Sequence, residues 1–326
     1  MRRLSAGLLA IAFIWSAETA SVGAARSPVA SEDQFLLDAL WDGLRTLPHH
    51  QKTKVGLALG GGGARGLAHI GVLKVLQEEN IPINLIAGTS VGALIGALFA
   101  SGISTTDMEE MCAEIGWSSL TNYSQLSLFK LLVMEELLST RNMEVYLRKH
   151  IGDQRFDQLK IPFTCSATDL QTGERVVFRE GSVAFAARAS AAVPGLFEPV
   201  LFRHRYLVDG GLVSNIPTDL LTEMGADIIV AVDVTADFSR FQPRNILATL
   251  NQAIYIQSEA MSKAELARAD VVVRPQMGDI SAIDLTRSAE SIDAGILSTR
   301  LAVPAIKRVI LDKNFDLLIR SRAAAL

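Results

Sequence analysis

The sequence predicts an α/β protein, a three-layer α/β/α sandwich around a mostly parallel central sheet. Three observations carry that prediction. Short β-branched runs alternate with helical patterns along most of the chain, which is how crossover-connected parallel strands are written. Two early strands run straight into glycine-rich turns that open helices, at 60–66 and 88–92. The 326 residues are 49% hydrophobic, enough for a large buried core, and no composition shift marks an internal boundary.

Residues 1–24 read as a signal peptide. Arg2 and Arg3 are followed by an uncharged run from Leu4 to Trp15, and Val22-Gly23-Ala24 offers a cleavage site. The run falls short of the roughly 20 residues that span a bilayer; an uncleaved anchor is the alternative. Export, to a periplasm or beyond the cell, is therefore expected. Residues 25–53 form a linker with one short helix, 32–44, stopped by Pro48. The remaining 54–326 make one domain. A net charge of −4, without interleaved basic and aromatic residues, excludes a nucleic-acid partner. Cys112 and Cys165 are too few for a disulfide framework, and no Cys/His cluster has metal-ligand spacing, so neither metal nor cofactor is expected. Cys165 sits in an apolar run as a small hydrophobe does.

Strand 55–59 precedes a helix over 64–79 with Leu67, Ile70, Leu73, Val75 and Leu76 at helical spacing. Pro82 stops it. Strand 83–87 and helix 91–101 follow, with Gly102 ending that helix and Ser104 capping the next. Later strands are expected at 161–168, 175–178, 206–208, 227–234 and 270–274, and helices at 183–192, 217–224, 244–267 and 284–309. The apolar segment 117–140 breaks the alternation. It is either a helix hairpin packed on the sheet or a lid whose apolar face meets lipid.

Gly88-Thr89-Ser90-Val91-Gly92 fits G-x-S-x-G, a tight strand-to-helix turn that projects a serine; the bland alternative is a helix capped by Ser90. Gly61-Gly62-Gly63-Ala64-Arg65-Gly66 fits G-x-G-x-x-G, but a dinucleotide site also needs an acidic residue ending the next strand. That strand ends in Gly88, and Glu78 and Glu79 come too early. The remaining reading is an oxyanion hole built from the N–H groups of Gly61, Gly62 and Gly63. Arg65 could position this loop, or it could be a surface ion pair.

A serine nucleophile needs a base. The five histidines, His49, His50, His69, His150 and His204, all precede Asp209, so an order Ser…Asp…His through Asp209 is impossible. His69 reads as a satisfied structural histidine. Asp209 ends an apolar strand and is followed by Gly210-Gly211, a place where a carboxylate can take a proton directly or merely cap a turn. Asp169, Asp227 and Asp233 also end strands, and composition does not choose among them.

These motifs resemble the patatin-like phospholipases. Gly60–Gly66, Gly88–Gly92 and Asp209-Gly210-Gly211 carry the resemblance. The stretches Ala64–Leu73 and Ala189–Phe197 are similar to the bacterial branch related to neuropathy target esterase. The resemblance covers about Val55 to Asp233. It implies a patatin-like sandwich and a Ser90–Asp209 dyad, with the glycine loop as oxyanion hole and Arg65, Gly88, Gly92 and Gly210 in support. It further implies hydrolysis of fatty acyl esters in phospholipids or lysophospholipids without calcium, at a peripheral membrane contact. A lipid acyltransferase and a non-catalytic membrane lipid-binding protein are the rival expectations.

Overall fold

In chain order the strands are β1 (Val55–Leu59), β2 (Leu85–Gly88), β3 (Phe163–Asp169), β4 (Arg175–Phe178), β5 (Val200–Phe202), β6 (Arg205–Asp209), β7 (Ile228–Val232) and β8 (Val271–Val273). The helices are α1 (Glu32–Arg45), α2 (Ala68–Glu78), α3 (Val91–Ser101), α4 (Thr105–Glu114), α5 (Arg141–Ile151), α6 (Val183–Ser190), α7 (Thr218–Glu223), α8 (Ile246–Leu266), α9 (Ser288–Lys313) and α10 (Phe315–Ala323). This computed structural model describes residues 32–48, 52–114, 137–235, 246–282 and 284–323. The signal segment 1–24 and residues 117–136 of the apolar segment lie outside the described residues.

One eight-stranded sheet organises the protein, in the order β5-β6-β3-β2-β1-β7-β8 with β4 also on β3. Pairs β1–β2, β1–β7, β2–β3 and β7–β8 are parallel; β3–β4, β3–β6 and β5–β6 are antiparallel. The expected α/β sandwich is what forms, with a sheet expected to be mostly parallel that is parallel in four pairings and antiparallel in three. Strand β1 is buried at all five positions, as a central strand covered on both faces must be. Its side chains alternate between two helical layers. Ala58, with Ala87 and Ala231, packs in one cluster with Ile216, Leu220 and Leu221 of the α7 region. Leu59 and Ile86 point the other way, toward Gly96 of α3.

The register around β3 decides where the active site can be. Strand β4 opposes residues 165–168 of β3, so it shares Cys165 with β2 and shares Ala167 and Thr168 with β6. A strand has only two edges, so β2 and β6 must both lie on the edge opposite β4. There β2 runs up to Gly88, level with Cys165, and β6 comes down from the other direction to Asp209, level with Ala167. The two strand ends therefore meet, two residues apart along β3. Roughly 7 Å of strand separates those levels.

Boundaries moved by a few residues from those expected. The helix expected over 64–79 starts as a 3-10 turn, Gly63–Leu67, and becomes α-helical only at Ala68. Strand β5 and helices α5 and α10 were not foreseen: β5 is only three residues long, whereas α5 does carry Met143, Leu147 and Ile151 four residues apart on one buried face, a helical signal that went unread. Ser104 Oγ accepts the Asp107 N–H at 3.0 Å, the expected cap. Among the described residues, no helix is long and apolar enough to cross a membrane.

The chain divides into two compact units, residues 54–303 and residues 1–53 with 304–326. In the smaller unit Lys307 Nζ lies 5.5 Å from the Trp41 ring, and Asn314 exchanges hydrogen bonds with Thr53.

Candidate active site

Ser90 stands on the turn between β2 and α3 with φ 55° and ψ −126°, a backbone region that L-residues rarely enter. Neighbouring glycines make the turn possible by close approach. A Cβ on Gly88 would overlap the Gly92 carbonyl, and one on Gly92 would overlap the Leu59 carbonyl. The Ser90 N–H donates to Ser190 Oγ at 3.0 Å, and that hydroxyl donates to the Ser166 carbonyl at 2.7 Å. Ser90's side chain makes no capping hydrogen bond to α3, so the helix-cap alternative does not describe it.

Asp209 reaches the same place from β6. Its backbone is held at both ends, its N–H donating to Ala192 and its carbonyl accepting from Thr168 Oγ1, each at 2.9 Å. Oδ1 accepts the Gly211 N–H at 2.7 Å. Oδ2 is buried and has no hydrogen-bond partner of normal geometry. The turn-capping and proton-accepting readings are therefore both accommodated, one oxygen for each. Burial pushes the carboxyl up to about 6, against the opposing pull of the Ser90 hydroxyl and the Gly211 N–H. Gly210 lies so close to the Ser166 carbonyl that a Cβ there would overlap it.

The other strand-end carboxylates are engaged elsewhere. Asp169 pairs with Arg205 at 3.2 Å and accepts the Gln171 N–H. Asp227 accepts the Lys54 N–H at 2.7 Å, and Asp233 pairs with Arg274 at 3.0 Å. Asp209 is the one of the four whose carboxyl feels the Ser90 hydroxyl.

The glycine loop adjoins this pair. A Cβ on Gly61 would stand 3.1 Å from Ser90 Cβ. The Gly60 and Gly61 N–H groups are committed, to Val232 O at 3.1 Å and Asn215 O at 3.3 Å. Gly61 is thus a wall of the site more than a donor to it. Among the described residues the N–H groups of Gly62 and Gly63 have no partner, and both sit at the start of the 3-10 turn. Gly63 has φ 60° and its Cα abuts Ala282. Arg65 is 5% exposed within that turn, which removes the surface ion-pair alternative.

His69 is fully buried, with Nε2 2.8 Å from the Gly60 carbonyl. An imidazole nitrogen facing a carbonyl must carry the proton, so His69 donates there, as a structural histidine does. Burial lowers its pKa to about 4, which keeps the ring neutral. Cys165 is likewise buried, and burial pushes its thiol well up, as the small-hydrophobe reading requires.

Local sequence signals missed one group of residues. The segment following Asp209-Gly210-Gly211 ties both loops together: Thr89 Oγ1 donates to Ser214 O at 3.2 Å, while Gly61 donates to Asn215 O. That segment is gripped by Glu265 of α8, whose carboxylate accepts Ser214 Oγ at 2.7 Å and the Ile216 N–H at 2.8 Å. Ser258 Oγ, also on α8, donates to Gly211 O at 2.8 Å. Arg175 adds a bond to Ser214 Oγ and a bidentate pair with Asp219. Nothing near Glu265 in the chain announces this role, because its partners are about 50 residues away.

Known proteins align with this framework. The patatin-like phospholipase family model matches residues 57–222, half of the chain. An uncharacterised NTE family protein of Mycobacterium tuberculosis is 27% identical over 306 residues, covering 81% of this chain and 51% of that one. A lysophospholipase of Aspergillus fumigatus is 35% identical over 184 residues, covering 55% of this chain and 12% of that one. The chain therefore corresponds to about half of the bacterial relative and a small part of the fungal one. The crystal structure of VipD from Legionella pneumophila superposes with a TM-score of 0.44 at 15% identity, over 79% of this chain and 67% of that one. With the family match running from within β1 through both glycine-rich turns and past Asp209, this chain belongs to the patatin-like phospholipase family.

Proposed function

We propose that the protein is a serine lipid acyl hydrolase that cleaves fatty acyl esters of phospholipids or lysophospholipids. The observation that carries this reading is the meeting of Ser90, on its strained turn, with a buried Asp209 that has one oxygen to spare. Ser90 Oγ attacks the ester carbonyl as Asp209 Oδ2 takes its proton. The carbonyl oxygen becomes negative and is met by the N–H groups of Gly62 and Gly63; such donors typically supply about 3 kcal/mol each. Collapse of the intermediate breaks the ester C–O bond, and Asp209 returns the proton to the departing alcohol. Water then adds to the acyl-Ser90 ester with Asp209 again as base, releasing the fatty acid and restoring the hydroxyl. Membership of the family and the names of its lysophospholipase relatives support the lipid substrate.

A fluorophosphonate probe tests the reading directly. We expect stoichiometric labelling of folded protein at Ser90, together with release of free fatty acid from lysophosphatidylcholine. Folded protein that resists the probe would instead fit a lipid-binding role without turnover. Export belongs to the same proposal and rests on the signal-like residues 1–24. Sequencing the N-terminus of protein expressed in its own host should find Ala25 first; an intact Met1 in the cytoplasmic fraction would remove that part.

A further inference from the structure

The β5–β6 hairpin breaks the rule for a half-buried hairpin. Val200 and Leu207 oppose each other on its inner face and are buried. Strict alternation would make the next pair polar, because it faces outward. That pair is instead Leu201 and Tyr206, directly opposite each other, 63% and 48% exposed. Leu170, 52% exposed, joins them, its N–H donating to the Tyr206 carbonyl at 2.8 Å. Three large apolar side chains thus stand in water around an edge strand, where soluble proteins normally place charge.

The tip of the hairpin adds the second half of the pattern. Its two-residue loop is Arg203-His204, with φ 47° and 67°. A loop with both residues left-handed favours Asn-Gly, so these two basic side chains sit where the backbone would prefer others. Arg205 follows, but it is engaged by Asp169 and Glu174. Arg203 has no ion pair among the described residues and rests its guanidinium 5.1 Å from the Phe202 ring. An exposed Leu–Tyr–Leu cluster beneath an unpaired cation matches a phospholipid surface. Leucine enters the acyl boundary, tyrosine sits at headgroup depth, and arginine meets phosphate.

Position links this surface to the chemistry. Strand β6 carries Asp209 at its inner end and Arg205 at its outer end, four residues or roughly 13 Å apart. Since β6 continues the edge left by β2, the hairpin rises from the same end of the sheet as Ser90. We propose that the β5–β6 hairpin is the membrane-docking element of this protein, with Leu170, Leu201 and Tyr206 entering the interfacial layer and Arg203 binding lipid phosphate. This rests on the lipid acyl hydrolase reading for its purpose, though not for its test. Docking here would hold Asp209 and Ser90 one short strand from the bilayer and deliver substrate directly to them.

The experiment is vesicle flotation with phosphatidylcholine, with and without phosphatidylglycerol, run beside turnover of a water-soluble short-chain ester. L201E/Y206E should weaken binding to both vesicle types by at least about tenfold, as two apolar anchors become charged. Soluble-ester turnover should be unchanged. R203N/H204G replaces the loop with its preferred residues, so it should melt no lower than wild type. It should still lose about fivefold in binding to the anionic vesicles, the effect of one cation near the surface. Undiminished vesicle binding by L201E/Y206E would overturn the proposal. So would a wild-type dimer that L201E/Y206E disperses while vesicle binding persists, since the face would then join two copies. If vesicle binding responds as expected but the wild type turns over no soluble ester, docking stands and the hydrolase reading falls.

Discussion

Ser90→Ala is expected to lower kcat/KM by about 10⁴ or more on any acyl ester the wild type cleaves, since the residual rate can draw only on the oxyanion donors and binding. Its melting temperature should barely move, because the substituted alanine is held at the same backbone angles. Ser90→Gly is the more revealing partner. Holding a serine at φ 55°, ψ −126° costs about 1–3 kcal/mol, which glycine does not incur. Glycine gives back about 0.5–1 kcal/mol through a freer unfolded chain. The net is a dead enzyme that is more stable by about 1 kcal/mol, a rise of about 2–4 °C in Tm for a domain of this size. Differential scanning calorimetry beside an esterase assay reads both quantities. A Ser90→Gly protein that melts lower than wild type would show that the turn is not strained, and retained activity in either variant would remove Ser90 as nucleophile.

Asp209→Asn is expected to cost about 10³–10⁴ in kcat while stabilising the fold at neutral pH. Asparagine keeps the acceptor for the Gly211 N–H but cannot take a proton from Ser90. Burial raises the carboxyl from 3.8 in the unfolded chain to about 6 when folded. Between those values the folded state binds more protons than the unfolded state, so stability falls as pH rises through that window. Above pH 6 the full penalty applies, about 3 kcal/mol on a shift of this size. The advantage of Asp209→Asn should therefore be small near pH 4, grow through pH 5 and level off above pH 6. Wild-type kcat/KM should do the reverse of stability, rising about tenfold per pH unit below 6 and flattening above it, because only the carboxylate can accept the proton. Parallel melting curves for the two proteins across pH 4–8 would count against a buried, strained carboxyl at this position.

Both variants trade activity against stability for a reason visible in the backbone and in burial. A serine is held where glycine belongs, and a carboxylate is held in a largely buried position. The α8 brace is what makes those arrangements hold. Glu265 and Ser258 fix the segment after Asp209, and through Ser214 O and Asn215 O that segment also fixes Thr89 and Gly61.

Several features of this protein were determined by the sequence alone. Alternating patterns specify strands and helices because backbone geometry has two short periods, and they placed β1, β3, α3 and the Gly102 stop within a residue or two. Glycine spacing identified both turns, because a close backbone approach admits no other residue. The absence of any histidine after Asp209 is a fact of order and needs no coordinates. Three things only the tertiary structure decided. It set the end of β6, with Asp209, close to the end of β2, because both strands share one edge of β3, while Asp169, Asp227 and Asp233 meet Arg205, Lys54 and Arg274. It left Gly62 and Gly63, and not Gly61, with N–H groups to offer, because Asn215 had already taken one. And it brought Glu265 to the loops, a contact across about 50 residues. Local periodicity records what a residue does to its neighbours in the chain; which distant group meets it is settled only when the sheet closes and the burial of each polar atom has to be satisfied.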